Sequence, residues 1–183
     1  MAVACDSVNE APEELSLRNI RLPRTDFSRM RCPVARTMEV MGERWVILLM
    51  REAFYGVTRF DGFQRALGIA PNILSARLRK LVQYGIFVRV PTSAHRGRYD
   101  YCLTDKGRDF FPAYVALKCW GDRWMAGPKG PLVLFREKHT GVALPPPSLV
   151  SSTGRRIEPE DVDVVPGPAA NSFIRRRFGQ REV

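Results

Sequence analysis

Apolar and polar residues recur with clear periods through the middle of the chain and lose that order towards both ends. A short helix is predicted from Pro33 to about Met41, broken at Gly42. The run from Arg44 to Tyr55 (RWVILLMREAFY) reads as a mostly buried helix ended by Gly56. Thr58 is a suitable N-cap for a helix through Leu67, with Phe60, Phe63 and Leu67 at helical spacing. Gly68-Ile69-Ala70 then makes a tight connection, and Pro71 opens a further helix to about Tyr84. In that helix Leu74, Leu78, Leu81 and Val82 fall at i, i+4, i+7 and i+8, a regular buried stripe, and Gly85 closes it.

The other side of the same helix carries different chemistry. Asn72, Ser75, Ala76, Arg79, Lys80 and Gln83 point away from the leucine stripe, with Arg77 on one flank. That face is small, polar and cationic. Two strands come next: Ile86, Val88 and Val90 alternate, and Tyr99, Tyr101 and Leu103 alternate on the return. Between them Thr92 to Gly97 (TSAHRG) predicts a hairpin with a basic tip. Thr104 is expected to cap a last long helix to about Met125, with Phe110, Tyr114, Leu117, Gly121 and Trp124 forming a seam-like stripe. Pro112 sits late for an N-terminal proline, so a kink is expected in the first turns.

The flanks have another texture. Residues 1–28 lack a sustained period and read as a flexible tail. Beyond Gly127, eight of the 14 prolines lie between Pro128 and Pro168. Short apolar runs at 132–135, 148–150 and 162–165 predict a small sheet, with turns at 139–141 and 152–154. Three parts are therefore expected: a tail over 1–28, a compact domain over 29–126, and a Pro/Gly-rich extension over 127–183. The fold class is α+β and mainly α, with a two-stranded hairpin and an irregular or β-rich extension.

Charge sharpens this picture. The chain of 183 residues has a formal net charge of +10. Residues 1–28 contribute −2, residues 29–126 contribute +9, and residues 127–183 contribute +3. No Asp or Glu occurs between Asp61 and Asp100, a gap holding Arg65, Arg77, Arg79, Lys80, Arg89, Arg96 and Arg98, plus His95. Solvated helix faces normally mix signs, so one sign over both the helix and the hairpin marks a polyanion-binding surface. The longest apolar run, Trp45 to Met50, is far too short for a membrane span, and the N-terminus has acids where a signal peptide needs an apolar stretch. A cytoplasmic protein with no membrane partner is expected.

The four cysteines, Cys5, Cys32, Cys102 and Cys119, contain no CxxC pair, and only His95 and His139 could join them. No metal site or cofactor is expected, and the pattern suits a reducing compartment better than a disulfide framework. Cys102 and Cys119 fall at apolar positions and are expected as buried structural thiols. Cys32 differs: it precedes Pro33 at a helix N-cap, near Arg29, Arg31 and Arg36. That electropositive setting suits an oxidisable sensor thiol, and equally a capping residue without a regulatory role.

Helix, tight turn, cationic helix and basic hairpin, in that order, are the parts of a winged helix-turn-helix. A helix fits the B-DNA major groove, where Asn, Ser and Arg read base edges. A hairpin beside it lays Arg and His against phosphates or into the minor groove. The reading residues are expected to be Asn72, Ser75, Ala76 and Arg79, with Arg77, Lys80, His95, Arg96 and Arg98 on the phosphates.

The sequence also resembles the HxlR-type winged helix-turn-helix regulators of bacteria. The resemblance rests on Cys32-Pro33-Val34, on VMGERWVILLMRE with Gly42 and Trp45, and on RFDGFQRALGIAPNILSARLRKL at 59–81. It continues through YGIFVR at 84–89, YDYCLTDKG at 99–107 and WGDRW at 120–124. It implies a homodimeric DNA-binding regulator, commonly a repressor, whose N- and C-terminal helices form the dimer. The stripe of Tyr114, Leu117 and Trp124 suits that role. In several members the cysteine of the Cys-Pro-Val motif senses quinones, aldehydes or oxidants, a role that would fall on Cys32. The chain departs from the family at APN (70–72), where a Ser or Thr often precedes the proline, and it has no cysteine after Cys119 for a metal ribbon.

The same residues allow other readings. The runner-up input is a small-molecule ligand in place of cysteine chemistry. A winged helix used for protein association is the alternative module, and the acid-free gap argues against it. An enzyme is not expected, because no phosphate-cradling glycine loop, HExxH or GxSxG occurs.

Overall fold

A computed structural model describes residues 26–92 and 98–179. The chain divides into two compact units, Met1–Glu43 and Arg44–Val183. The second unit holds the helices after residue 43 together with the Pro/Gly-rich extension. The expected tail lies almost wholly outside the described residues. In the first unit, helix α1 spans Pro33–Met41, with Cys32 at its N-cap and Gly42 at its C-cap. The amide of Phe27 donates to the Glu39 carboxylate at 3.2 Å and ties the entering chain to this helix.

In the second unit, α2 (Val46–Phe54) and α3 (Phe60–Leu67) precede α4 (Pro71–Gln83). The turn between α3 and α4 hinges on Gly68, whose φ of +59° lies in the left-handed region that a side chain disfavours. Gly85 closes α4 as expected, with φ +66°. Strands β1 (Phe87–Pro91) and β2 (Tyr99–Leu103) pair antiparallel in a register running from Phe87 opposite Leu103 to Pro91 opposite Tyr99.

Three departures from the local reading concern the elements themselves. The first is Thr58, which does not cap α3; Arg59 holds the N-cap position and no side chain bonds there. The Thr58 hydroxyl instead donates to the Asp100 carboxylate at 3.3 Å, and its carbonyl accepts from the Tyr101 amide at 2.7 Å. Arg59 forms a bridge with Asp100, so the segment before α3 lies along the edge of β2. The second is the last helix, which is two helices. Thr104 caps only α5 (Asp105–Arg108), accepting from the Gly107 amide, and α6 (Phe111–Trp124) begins after a break, with Pro112 in its first turn. Gly107 packs so closely on Ile86 that a Cβ would collide with the Ile86 carbonyl oxygen, and this fixes where α5 sits.

The third is the extension. Among the described residues its apolar runs form no sheet; the isolated bridges Arg136–Ala143 and Val150–Arg156 occur instead, around the expected turns. Proline removes ladder donors, and these runs have no buried face to share. Phe135 instead docks against the rings of Phe111 and Tyr114, with centroids at 5.9 and 6.2 Å, and approaches Tyr55 at 6.0 Å. A short helix α7 (Ser172–Phe178), unforeseen from the sequence, is capped by Asn171, whose side chain accepts from the Ile174 amide at 2.9 Å.

The core joins α2, α3, α4 and β1. Val46, Leu49, Met50, Phe63, Leu74, Leu78 and Leu81 are fully buried, and Phe87 nearly so. Each such side chain contributes about 1.5–3 kcal/mol by leaving water. Of the alternating set, Ile86 is buried while Val88 and Val90 are exposed, and Phe87 is the strand residue that enters the core.

Candidate nucleic-acid interface

The leucine stripe of α4 fixes the rotation of that helix and with it the rest of its surface. Asn72, Ala76, Arg79 and Gln83 are exposed, and Ser75, Arg77 and Lys80 are half-buried. Ile73 is also exposed and stands beside Asn72, an apolar contributor that polarity-based reading passes over. Arg79 forms no ion pair with any described residue. Lys80 lies 5.7 Å from the Tyr84 ring centre, so its stem is held along the helix. No acid lies on this face, since the helix contains none.

The C-terminal end of α4 is tied to α5 and to the residues leading into it. Lys106 donates to the Tyr84 carbonyl at 2.8 Å, a cation on the negative end of the helix dipole. The Thr104 hydroxyl donates to the Gly85 carbonyl at 2.6 Å, and the Thr104 amide to the Ile86 carbonyl at 3.0 Å. Helix and hairpin therefore form one braced unit, further clamped by the Thr58–Asp100 contact. Nothing in the polarity pattern announces Lys106 or Thr58 as braces, because their partners are backbone atoms or residues some 20 to 40 positions away.

Of the hairpin cations, Arg98 is exposed beside β2. His95 and Arg96 lie outside the described residues. Arg89 stacks over the Tyr99 ring at 4.1 Å, a cation–π contact that holds it against the strand pair. Arg59 and Arg65 both pair with Asp61, at 3.2 and 3.3 Å. Desolvation is the largest single influence on the Asp61 carboxyl and would raise it, but the two guanidinium groups and their hydrogen bonds together outweigh it and hold the group below its ordinary value. The acid-free stretch thus contains engaged cations such as Arg65 and Arg89, while Arg79 on α4 and Arg98 beside β2 are both exposed.

A second exposed surface lies on α6. Leu117, Trp120 and Trp124 are 47, 52 and 65% exposed. Trp120 completes an i, i+3, i+7 line that the seven-residue stripe skips, and its signal was the spacing from Leu117 and Trp124. Tyr114, from the same predicted stripe, turns inward: it is 4% exposed, stacks on Phe54 at 5.2 Å and shares a 3.0 Å hydrogen bond with the Tyr55 hydroxyl. Burial, and then the Tyr55 contact, push its phenol well above the ordinary value. Cys32 is exposed at the start of α1 with no capping bond, while Cys102 and Cys119 are half-buried and not fully enclosed as expected. No helix among the described residues is long and apolar enough to cross a membrane.

Known proteins share this arrangement. The family model described as HxlR-like helix-turn-helix matches residues 40–128. An uncharacterized HTH-type transcriptional regulator of Mycobacterium tuberculosis is 44% identical over 135 residues, 74% of this chain and 85% of that protein. That alignment is longer than the matched span, so it takes in residues beyond it. The crystal structure of PA1607, a candidate transcription factor, is similar with a TM-score of 0.71 and 41% identity, over 76% of this chain and 98% of that one. PA1374 of Pseudomonas aeruginosa, another candidate transcription factor, is similar with a TM-score of 0.56 and 41% identity, over 80% and 99%. The chain belongs to the HxlR-like helix-turn-helix family of transcriptional regulators.

Proposed function

We propose that the protein represses transcription as a homodimer bound to a palindromic operator, with α4 in the major groove. The observation that carries this is the acid-free, outward face of α4, held rigid by the leucine stripe and the Thr104 and Lys106 braces. Asn72, Ser75, Ala76 and Arg79 read base edges. Arg77, Lys80 and Arg98 hold phosphates, with His95 and Arg96 assigned the same role from the sequence. Leu117 and Trp124, joined by Trp120, meet the partner copy, and Tyr114 supports that helix from within. Two reading helices then face half-sites about 34 Å apart. Footprinting on the DNA upstream of the protein's own gene tests this reading, which predicts a symmetric protected site. Protection without symmetry, or none, contradicts it.

For the input, exposure of Cys32 favours thiol chemistry. Oxidation or alkylation there adds bulk or charge at the first turn of α1 and alters the dimer contact that sets half-site spacing. DNA release under diamide is expected in the wild type and lost in Cys32→Ser. Release that persists in Cys32→Ser would sink this part.

A further inference from the structure

Helix α6 has two working faces. On a 100° wheel Leu117, Trp120 and Trp124 share one side, and Val115, Lys118, Cys119 and Asp122 lie opposite. The opposite side faces the extension across a half-open cleft of about 310 Å³, at the small end of ligand-pocket sizes. Val115 from α6 and Phe135, Leu144 and Pro146 from the extension line its walls.

Its polar groups are few and unequal. Lys118 pairs with Asp122 one turn on and lies over the Phe135 ring, so its charge is compensated within the wall. Arg123, also lining the cleft, is exposed and forms no ion pair with any described residue. Among the described residues its one charge-related contact is the neighbouring Trp124 ring at 5.0 Å. An apolar slot beside one uncompensated cation matches a ligand with an apolar body and one negative charge. The flat walls of Phe135 and Pro146 favour a ring.

We propose that this cleft binds a small aromatic monocarboxylate as effector. The ring packs between Val115 and Phe135, and the carboxylate takes a charge-assisted hydrogen bond from Arg123. Bound ligand joins the extension to α6, the helix whose other face is assigned to the partner copy. This last link deepens the regulatory reading above and rests on it; the binding itself does not.

Benzoate serves as the probe, with the purified full chain. Millimolar benzoate should raise Tm and give saturable heat in calorimetry, since a ligand that binds only the folded state stabilises it. Benzamide, which lacks the charge, should bind at least about tenfold more weakly, and Arg123→Gln should lose roughly tenfold in benzoate affinity while its unliganded Tm is unchanged. Leu144→Glu, which sets an acid in the wall, should abolish binding. The inference is overturned if benzoate gives neither heat nor a Tm shift in the wild type, or if Arg123→Gln and the wild type bind it equally. Operator binding measured without benzoate separates the two readings: its loss in the wild type defeats the DNA assignment and leaves the cleft standing. Benzoate that binds without changing operator affinity overturns the effector role.

Discussion

Helices α4 and α6 are almost equal in length, 13 and 14 residues, and both bury one side in the same unit. Their outward sides are opposites. In α4 the exposed residues are polar or cationic apart from small or single apolar ones, and the helix has no acid. In α6 they include Leu117, Trp120 and Trp124, an apolar line that water does not favour. A face without acids suits phosphate and base edges, whereas exposed tryptophans suit another apolar surface. One compact unit thus presents two chemically different faces, each set by the rotation that its helix's own buried stripe imposes.

The contrast can be broken most severely on α6. Trp120→Glu with Trp124→Glu is expected to give a monomer in analytical ultracentrifugation. Operator affinity should then fall by roughly 10²–10⁴-fold, because two half-sites are no longer engaged together. A double variant that stays dimeric would remove α6 from the interface. Next in size, Phe135→Ala should cost about 3 kcal/mol of stability in chemical denaturation, by emptying the ring cluster under α6. An unchanged denaturation midpoint would mean that the extension adds nothing to the unit.

The α4 side should respond in specificity. Arg79→Ala or Asn72→Ala is expected to alter base preference by about 1–3 kcal/mol at one operator position, read by competition with substituted duplexes. If Arg79→Ala changed neither preference nor affinity, the reading face would have to be reassigned. The smallest effect belongs to Arg98→Ala: binding to all sequences should weaken alike, with the salt slope reduced by about 0.9 for one lost phosphate contact. A change in base preference there would instead place Arg98 among the reading residues.

Much of the α4 side is legible from the sequence. Leu74, Leu78 and Leu81 carry the helix period within the chain itself, and Gly85 marks its end, so rotation alone identifies the outward residues. Hairpin pairing is legible for a similar reason, since alternation and a polar turn are local signals. The α6 side is less so. A seven-residue stripe places Tyr114 outside and overlooks Trp120, because which side of α6 is covered depends on Phe54 and Phe135, one before it and one after. Thr58 has the chemistry of a cap, yet Asp100 lies near enough to claim its hydroxyl.

By itself, then, the sequence determined what its short-range periods encode: the helix-turn-helix order, the polar and cationic composition of α4, the hairpin, and the family resemblance. Tertiary structure decided what depends on distant partners. The collision that Gly107 avoids with Ile86 positions α5, Phe135 draws the extension onto α6, and Tyr114 turns inward to meet Tyr55. The physical reason is that a helix period specifies an apolar side without naming what will cover it. Only packing assigns one side of α6 to the core, another to a cleft, and the line of Leu117, Trp120 and Trp124 to solvent.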